Sequence, residues 1–189
     1  LQEERKMLPS TLAIGVLMGE EDAASQSFVK IKERVADKLE VVVVRELLPT
    51  DATTDYALRA LERLCATCAG VIVQMPLPPQ INLGDILAAL PAHLDVDAIT
   101  DNQKVLRSPV AEAVSEVFVQ TGVSADGKRA TVVGAGKLVG APVAEMLREL
   151  GAQVSIITRN EGSLVDLKDA DIVVLGAGDP GFVKPEMLK

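Results

Sequence analysis

Lys32, Gln74 and Asp97 carry the chemistry this sequence can offer in its first half, and each stands beside an element able to hold it. In ASQSFVKIKERV, Ala24 to Val35, Phe28 precedes Lys32 by one helical turn. Residues four apart on a helix share a face, so the ring can form a floor beside the amine. Where Lys32 borders an apolar stripe, partial desolvation favours its neutral, proton-accepting form. Gln74 closes the run GVIVQ just before a proline-rich turn at Pro76, Pro78 and Pro79. Its amide could orient the lysine or a substrate carbonyl. Asp97 follows in LDVDAI, with Asp95 two residues earlier; on extended backbone both carboxylates point the same way. Singly, each also has a plain explanation. Lys32 fits a surface lysine, Gln74 a backbone-capping amide and Asp97 a turn stabiliser.

The second half offers a different chemistry. GAGKLVG, Gly134 to Gly140, joins a predicted strand to a predicted helix. Glycines there let the backbone approach a pyrophosphate, and a helix N-terminus supplies free N–H groups and positive dipole. The spacing GxGxxxG is one residue longer than the common dinucleotide fingerprint. Gly134, Gly136, Lys137 and Gly140 are the candidate cofactor contacts, with a tight turn and close helix–strand packing as the alternative. The next strand runs into Thr158-Arg159-Asn160. An acidic residue at that point suits a free ribose hydroxyl, whereas an arginine pairs a 2′-phosphate. Thr158 and Arg159 therefore favour NADP over NAD, although Glu161 close by opposes the charge.

The elements that must position these residues alternate. TLAIGVLMG (11–19), VVVVREL (41–47) and GVIVQ (70–74) read as buried, β-branched strands. Between them, Ser25 to Leu39 reads as a helix with an apolar face of Phe28, Ile31, Val35 and Leu39. DATTDYALRALERLCATC opens with cap residues and continues with helical spacing, and NLGDILAAL reads as a short helix. Ser108-Pro109 is a helix start, Ser as N-cap and Pro at the first position, running to about Gln120 and ending at Gly122. ATVVGAG, KLVGAPVAEMLREL and AQVSIIT then give strand, helix and strand, followed by a short helix (SLVDLK) and a strand (DIVVLGAG). This predicts two α/β domains, 1–108 and 109–189, the second Rossmann-like.

Composition narrows the classes. The 189 residues are 48% apolar and 24% charged, which is globular, and the single Tyr, three Phe and absent Trp leave a core of Val, Leu, Ile and Ala. A net charge of −8 argues against non-specific binding to nucleic acid or anionic membrane. No apolar run approaches a membrane span, and no signal-peptide pattern opens the chain. Cys65 and Cys68 lie in CATC on a helical pattern and the only His is His93, too few ligands for a metal. They read as helix-face thiols in a reducing cytoplasm, with a redox pair as the alternative.

The order of these features resembles the bifunctional methylenetetrahydrofolate dehydrogenase/cyclohydrolase family. Its SxxYVxxKxK signature is similar to Ser25-Gln26-Ser27-Phe28-Val29-Lys30-Ile31-Lys32 onward, GILVQLPLP to Gly70–Pro78, and KDVDG to Leu94–Ala98. Its cofactor loop GxSxxVGxP resembles Gly134–Pro142, and ADIVVxAxGxPxF resembles Ala170 to Phe182. The resemblance implies a folate-binding catalytic domain and an NADP-binding domain. It implies Lys32 as the central catalytic group, Gln74 as the residue that tunes it, Asp97 on the pterin's amino-pyrimidine edge, and Phe28 in place of a stacking tyrosine. Pro76, within VQMPLP, is carried over as a substrate contact. The implied chemistry is NADP-dependent oxidation of methylenetetrahydrofolate to the methenyl cation and its hydrolysis to 10-formyltetrahydrofolate, in a cytoplasmic homodimer. A shikimate-dehydrogenase-like oxidoreductase (from VVGAG and ITRN) and a degenerate or monofunctional binding relative are the alternatives.

Several positions depart from that pattern. Phe28 keeps the stacking face and lacks the hydroxyl. Ala98 replaces a glycine, Gly136 stands where the family has Ser, and Ala135 where many members carry Arg, so Arg159 must carry more of the phosphate. The segment from Asp97 to Pro109 is shorter than in typical members, most of the family's N-terminal helix is missing before Leu8, and the chain stops at Lys189 before the family's closing glycine-rich segment. That predicts a fragment or a reduced member.

Overall fold

The computed structural model describes residues 2–9, 11–20, 23–100, 106–178 and 181–188. The polar turn expected around Glu21 and Asp22, and Asp179 and Pro180 of GAGDPGF, lie outside the described residues. The chain divides into two compact units, 1–106 and 107–189, a boundary two residues before the 108/109 division expected from the sequence.

In the first unit a short helix α1 (Gln2–Arg5) precedes β1 (Leu12–Gly19), α2 (Ala23–Lys38), β2 (Val41–Leu48), α3 (Thr54–Thr67), β3 (Gly70–Gln74) and α4 (Leu83–Ala89). The strands form a parallel sheet in the order β2-β1-β3, with Val16 opposite Arg45 on one side and Ile72 on the other. Side chains alternate across a strand, and each face collects its own core. Leu17, Val71 and Val73 pack with Leu61 and Leu64 of α3 and Ile86 of α4, while Val16, Met18 and Ile72 pack with Val29 of α2. At Gly15 an added Cβ would stand 3.0 Å from Leu64, so the glycine lets α3 lie close to the sheet. Thr53 caps α3 by accepting the Tyr56 N–H, and Asn82 caps α4 through the Gly84 N–H.

The face α2 turns inward is not the one its largest apolar residues suggest. Ser25, Val29 and Ala36 are buried, whereas Phe28, Ile31 and Val35 are each about half exposed (53%, 54% and 49%). Val29 and Ala36, two turns apart, supply a narrow inward stripe whose small Ala36 permits close approach to the sheet. An ion pair between Arg45 of β2 and Glu33 of α2 holds the helix in that rotation.

The second unit contains α5 (Pro109–Thr121), β4 (Arg129–Val133), α6 (Gly140–Glu149), β5 (Gln153–Ile157) and β6 (Ile172–Leu175), with 3-10 helices at Leu164–Asp169 and Pro185–Met187. Its sheet is also parallel, in the order β5-β4-β6. Ala130 and Val132 meet Ala111 of α5 and Val143, Ala144 and Leu147 of α6; Val133 and Ile157 meet Leu167 on the other side. Gly122, at φ +69, closes α5 as expected. Two local expectations change. The Ser108 hydroxyl donates to Leu138 O (3.5 Å) and makes no cap, the first-turn Glu112 N–H going to Ser108 O. Helix α6 starts at Gly140 and not at Lys137, because the Val139 and Ala141 N–H groups both turn back to Gly136 O.

Both sheets place their first strand in the middle, with successive crossovers leaving in opposite directions. That reversal opens a crevice at the carboxyl end of the central strand, where open α/β sheets take ligands.

Candidate functional sites in the two units

In the N-terminal unit, β3 ends at Gln74 and α2 passes its end. Lys32 Nζ donates to Gln74 Oε1 at 3.3 Å and stands 5.0 Å from the centroid of the Phe28 ring, within cation–π range. The orientation of the amide is fixed from its other end, since Gln74 Nε2 donates to Met75 O at 3.2 Å. The same carbonyl accepts the Ser25 hydroxyl at 3.0 Å, and Ser25 is buried. Ser25, one of two serines in the quoted motif, was not singled out from the sequence; its place one turn before Val29 on the inward face is the signal that finds it. Pro76 lies exposed directly after this carbonyl, across a cis Met75–Pro76 peptide.

Asp97 belongs to a turn and not to an extended segment. The Ala98 N–H donates to Asp95 O (3.2 Å), so the strand alternation that would point both carboxylates the same way does not apply. Asp95 is buried, with Oδ2 accepting the Thr100 N–H at 2.8 Å, while Asp97 is half-buried. Burial pushes the Asp97 carboxyl above its ordinary range; the Lys32 ammonium opposes that and the Asp95 charge adds to it. The lysine charge thus acts on Asp97 directly. Two backbone details make the turn possible. Gly70 has no Cβ where one would run into Val96, so the turn lies flat against β3. Ala98 sits at φ +51, the left-handed region, which explains why glycine suits this position. The structure thus brings Phe28, Lys32, Gln74 and Asp97 to one end of the sheet.

Cys65 and Cys68 are free thiols packed with the core of the first unit. Burial, then the neighbouring Cys68, pushes the Cys65 thiol up, which lowers its thiolate fraction and weighs against the redox alternative. Among the described residues no cluster of three or more His, Cys, Asp or Glu could hold a metal.

In the C-terminal unit the glycine loop leaves β4 with Gly134 at φ +97, its N–H donating to Ile157 O at 2.7 Å. A Cβ on Gly134 would lie 2.9 Å from the Gly176 carbonyl carbon, and one on Gly140 would run into Gly134 O. These two glycines therefore serve the close meeting of β4, α6 and the end of β6, the packing alternative weighed from the sequence. Gly136 differs: nothing lies within 4 Å of an added Cβ, so the surrounding protein makes no demand for glycine there. Lys137 is exposed on the same loop, and α6 begins without a side-chain cap.

Beside this loop is a cavity of about 450 Å³ lined by Gly134, Ala135, Thr158, Arg159, Leu164 and Phe182, among others. Thr158 and Arg159 reach it because a tight turn, Thr158 N–H to Glu161 O at 2.8 Å, puts Arg159 at the tip. Glu161 lines an adjoining hollow of about 810 Å³ that shares Ile157 and Gly162 with the Arg159 cavity. An uncapped helix start, an open Gly136 and an arginine at the end of the second strand fit a phosphorylated dinucleotide.

These features define a two-domain α/β protein with an N-terminal catalytic domain and a C-terminal NAD(P)-binding domain. Residues 1–97 match the model of the tetrahydrofolate dehydrogenase/cyclohydrolase catalytic domain, and residues 108–189 match that of its NAD(P)-binding domain. The chain belongs to the tetrahydrofolate dehydrogenase/cyclohydrolase family. It is 31% identical over 192 residues to the bifunctional protein FolD of Staphylococcus aureus (strain Newman), covering 95% of this chain and 66% of that protein. The chain thus spans about two thirds of the length of such relatives. The bifunctional FolD enzyme of Campylobacter jejuni superposes with a TM-score of 0.93 at 24% identity, over 100% of this chain and 72% of the other. The Trypanosoma brucei enzyme, solved complexed with NADP cofactor and inhibitor, gives 0.90 at 27% identity over 100% and 70%.

Proposed function

We propose that this chain oxidises 5,10-methylenetetrahydrofolate to the 5,10-methenyl cation with NADP as hydride acceptor, and hydrolyses that cation to 10-formyltetrahydrofolate. The observation that carries the reading is the Lys32–Gln74 hydrogen bond at a strand end, with the Phe28 ring beside the lysine and Asp97 near enough to feel its charge. Family membership supports the substrate class.

In this reading the ionised Asp97 accepts two N–H donors from the amino-pyrimidine edge, and those donors compensate its burial. The exposed Phe28 ring stacks on the folate, and Pro76 borders it. Hydride leaves the methylene carbon for a bound nicotinamide; no protein base is consumed, so proximity and orientation are the protein's contribution. In the second step a water oxygen bonds to the methenyl carbon and one ring C–N bond breaks; the freed nitrogen takes up one proton, and the second of the water's protons is released. Lys32 manages that proton, with Gln74 Oε1 holding the amine in place. Phe28 offers only its ring face to Lys32, with no hydroxyl to relay a proton, so hydrolysis is the more exposed of the two activities. When bound, NADP would supply the hydride acceptor; the Gly136–Gly140 backbone and Lys137 would hold its phosphates, and Arg159 beside Thr158 its 2′-phosphate.

The reading carries with it a homodimer in the cytoplasm, as the family resemblance implies. Among the described residues no helix is long and apolar enough to cross a membrane. Lys32→Met tests the proposal: loss of the base should lower methenyl hydrolysis by about 10²–10⁴-fold while hydride transfer falls much less. Unchanged hydrolysis would remove Lys32 from the mechanism.

A further inference from the structure

Asp95 is 3% exposed, and its two oxygens are treated unequally. Oδ2 accepts the Thr100 N–H at 2.8 Å, whereas Oδ1 is buried with no hydrogen-bond partner among the described residues. An apolar residue of similar size avoids the desolvation of a carboxyl group, so a buried, half-satisfied one needs a task. The backbone around it shows which. The Val71 N–H of β3 donates to Leu94 O at 2.7 Å, Val71 bridges Asp95, and Val96 fills the space left by Gly70. Those contacts fix the start of the turn. Its end is less favourable, because Ala98 is held at φ +51. The Asp95 carboxyl spans the strained residue and ties Thr100, two positions beyond it, back to the start. Asp97 lies inside that closed loop, near enough to Lys32 to feel its charge.

We propose that Asp95 is a positioning residue for Asp97: its buried carboxylate, bonded to the Thr100 N–H, holds the strained turn closed and so sets the direction in which Asp97 meets the ligand. This rests on the reading of Asp97 as the group that receives the folate's amino-pyrimidine edge. Asp95 also places a like charge beside Asp97. The charged groups acting on Asp97 are Lys32 from α2 and Asp95 from its own turn, with the neutral Gln74 at the end of β3 bonded to that lysine.

The test measures tetrahydrofolate and NADP binding by calorimetry on the whole chain, with amide hydrogen exchange. Asp97→Asn comes first. Weakened tetrahydrofolate binding supports the role given to Asp97, and unchanged binding overturns that role whatever Asp95 does. With Asp97 established, Asp95→Ala should weaken tetrahydrofolate by about tenfold, the worth of one charge-assisted contact. NADP affinity should stay unchanged, and the Thr100 amide should lose protection while β1 amides keep theirs. Unchanged tetrahydrofolate affinity, or loss of β1 protection together with it, overturns the positioning role. If Asp95→Ala does not fold, Asp95→Asn keeps an acceptor for Thr100 and removes the charge. It should retain most of the affinity and the Thr100 protection, because the acceptor for that N–H is kept. A tenfold loss of affinity with Thr100 protection intact overturns the proposal.

Discussion

Replacing Ala98 by glycine should stabilise the N-terminal unit, and the size of the gain follows from one dihedral angle. Ala98 sits at φ +51, where the Cβ of an L-residue crowds the backbone. Holding such a residue there costs roughly 1–2 kcal/mol. Glycine avoids that cost but loses about 0.5–1 kcal/mol more conformational freedom on folding. The difference leaves Ala98→Gly more stable by about 0.5–1 kcal/mol. For a unit of this size that corresponds to a rise of about 2–8 °C in unfolding midpoint. Urea unfolding followed by far-UV circular dichroism would show a higher midpoint with an unchanged slope, since the surface exposed on unfolding is the same. Glu40, exposed at φ +53 just after α2 and away from the turn, is an internal control, and Glu40→Gly should gain a similar amount. A gain at Glu40 and none at Ala98 would mean that the turn carrying Asp97 is not strained, and the argument for what holds it would fail.

Two further outcomes follow from the site. Asp97 has its folded-state carboxyl raised, so its contribution to stability is fully present below the carboxyl's unfolded value and is lost as pH rises through the folded one. Asp97→Asn, which cannot ionise, should therefore unfold at a higher temperature than wild type at neutral pH, with the gap closing on acidification; a gap that widens in acid would reverse the sign. Arg159→Ala should reduce the preference for NADP over NAD by about 10–100-fold through loss of charge-assisted hydrogen bonds to the 2′-phosphate. Equal affinities before and after the change would take Arg159 out of cofactor selection.

The alternation of strand and helix was legible because each strand is a short β-branched run closed by glycine or proline. The pairing of Lys32 with Gln74 was legible too: one ends a strand, the other lies on the crossover helix beside it, and a parallel sheet brings such positions together. The inward face of α2 was not. Phe28, Ile31 and Val35 have the right spacing for a core stripe, but the sheet selects the adjacent stripe with the smaller residues Ser25 and Ala36 on either side of Val29. Helical periodicity identifies apolar stripes without saying which one meets the sheet. The turn that carries Asp95 and Asp97 was also hidden, since alternation holds only on extended backbone and the turn here depends on Gly70, a residue distant in sequence. In the glycine loop the motif pointed to a candidate nucleotide site, and the structure separates the glycines that packing requires, Gly134 and Gly140, from Gly136, which it leaves open.

We propose one chain carrying both a folate site built on Lys32, Gln74 and Asp97 and a dinucleotide site selective for NADP. Mixing the purified protein with 5,10-methylenetetrahydrofolate and either NADP or NAD, and following reduced nicotinamide and methenyl absorbance together, tests it most directly. Oxidation should be faster with NADP, with methenyl species accumulating ahead of hydrolysis because Phe28 lacks a hydroxyl. A folded protein that binds both ligands and reduces neither cofactor would contradict it.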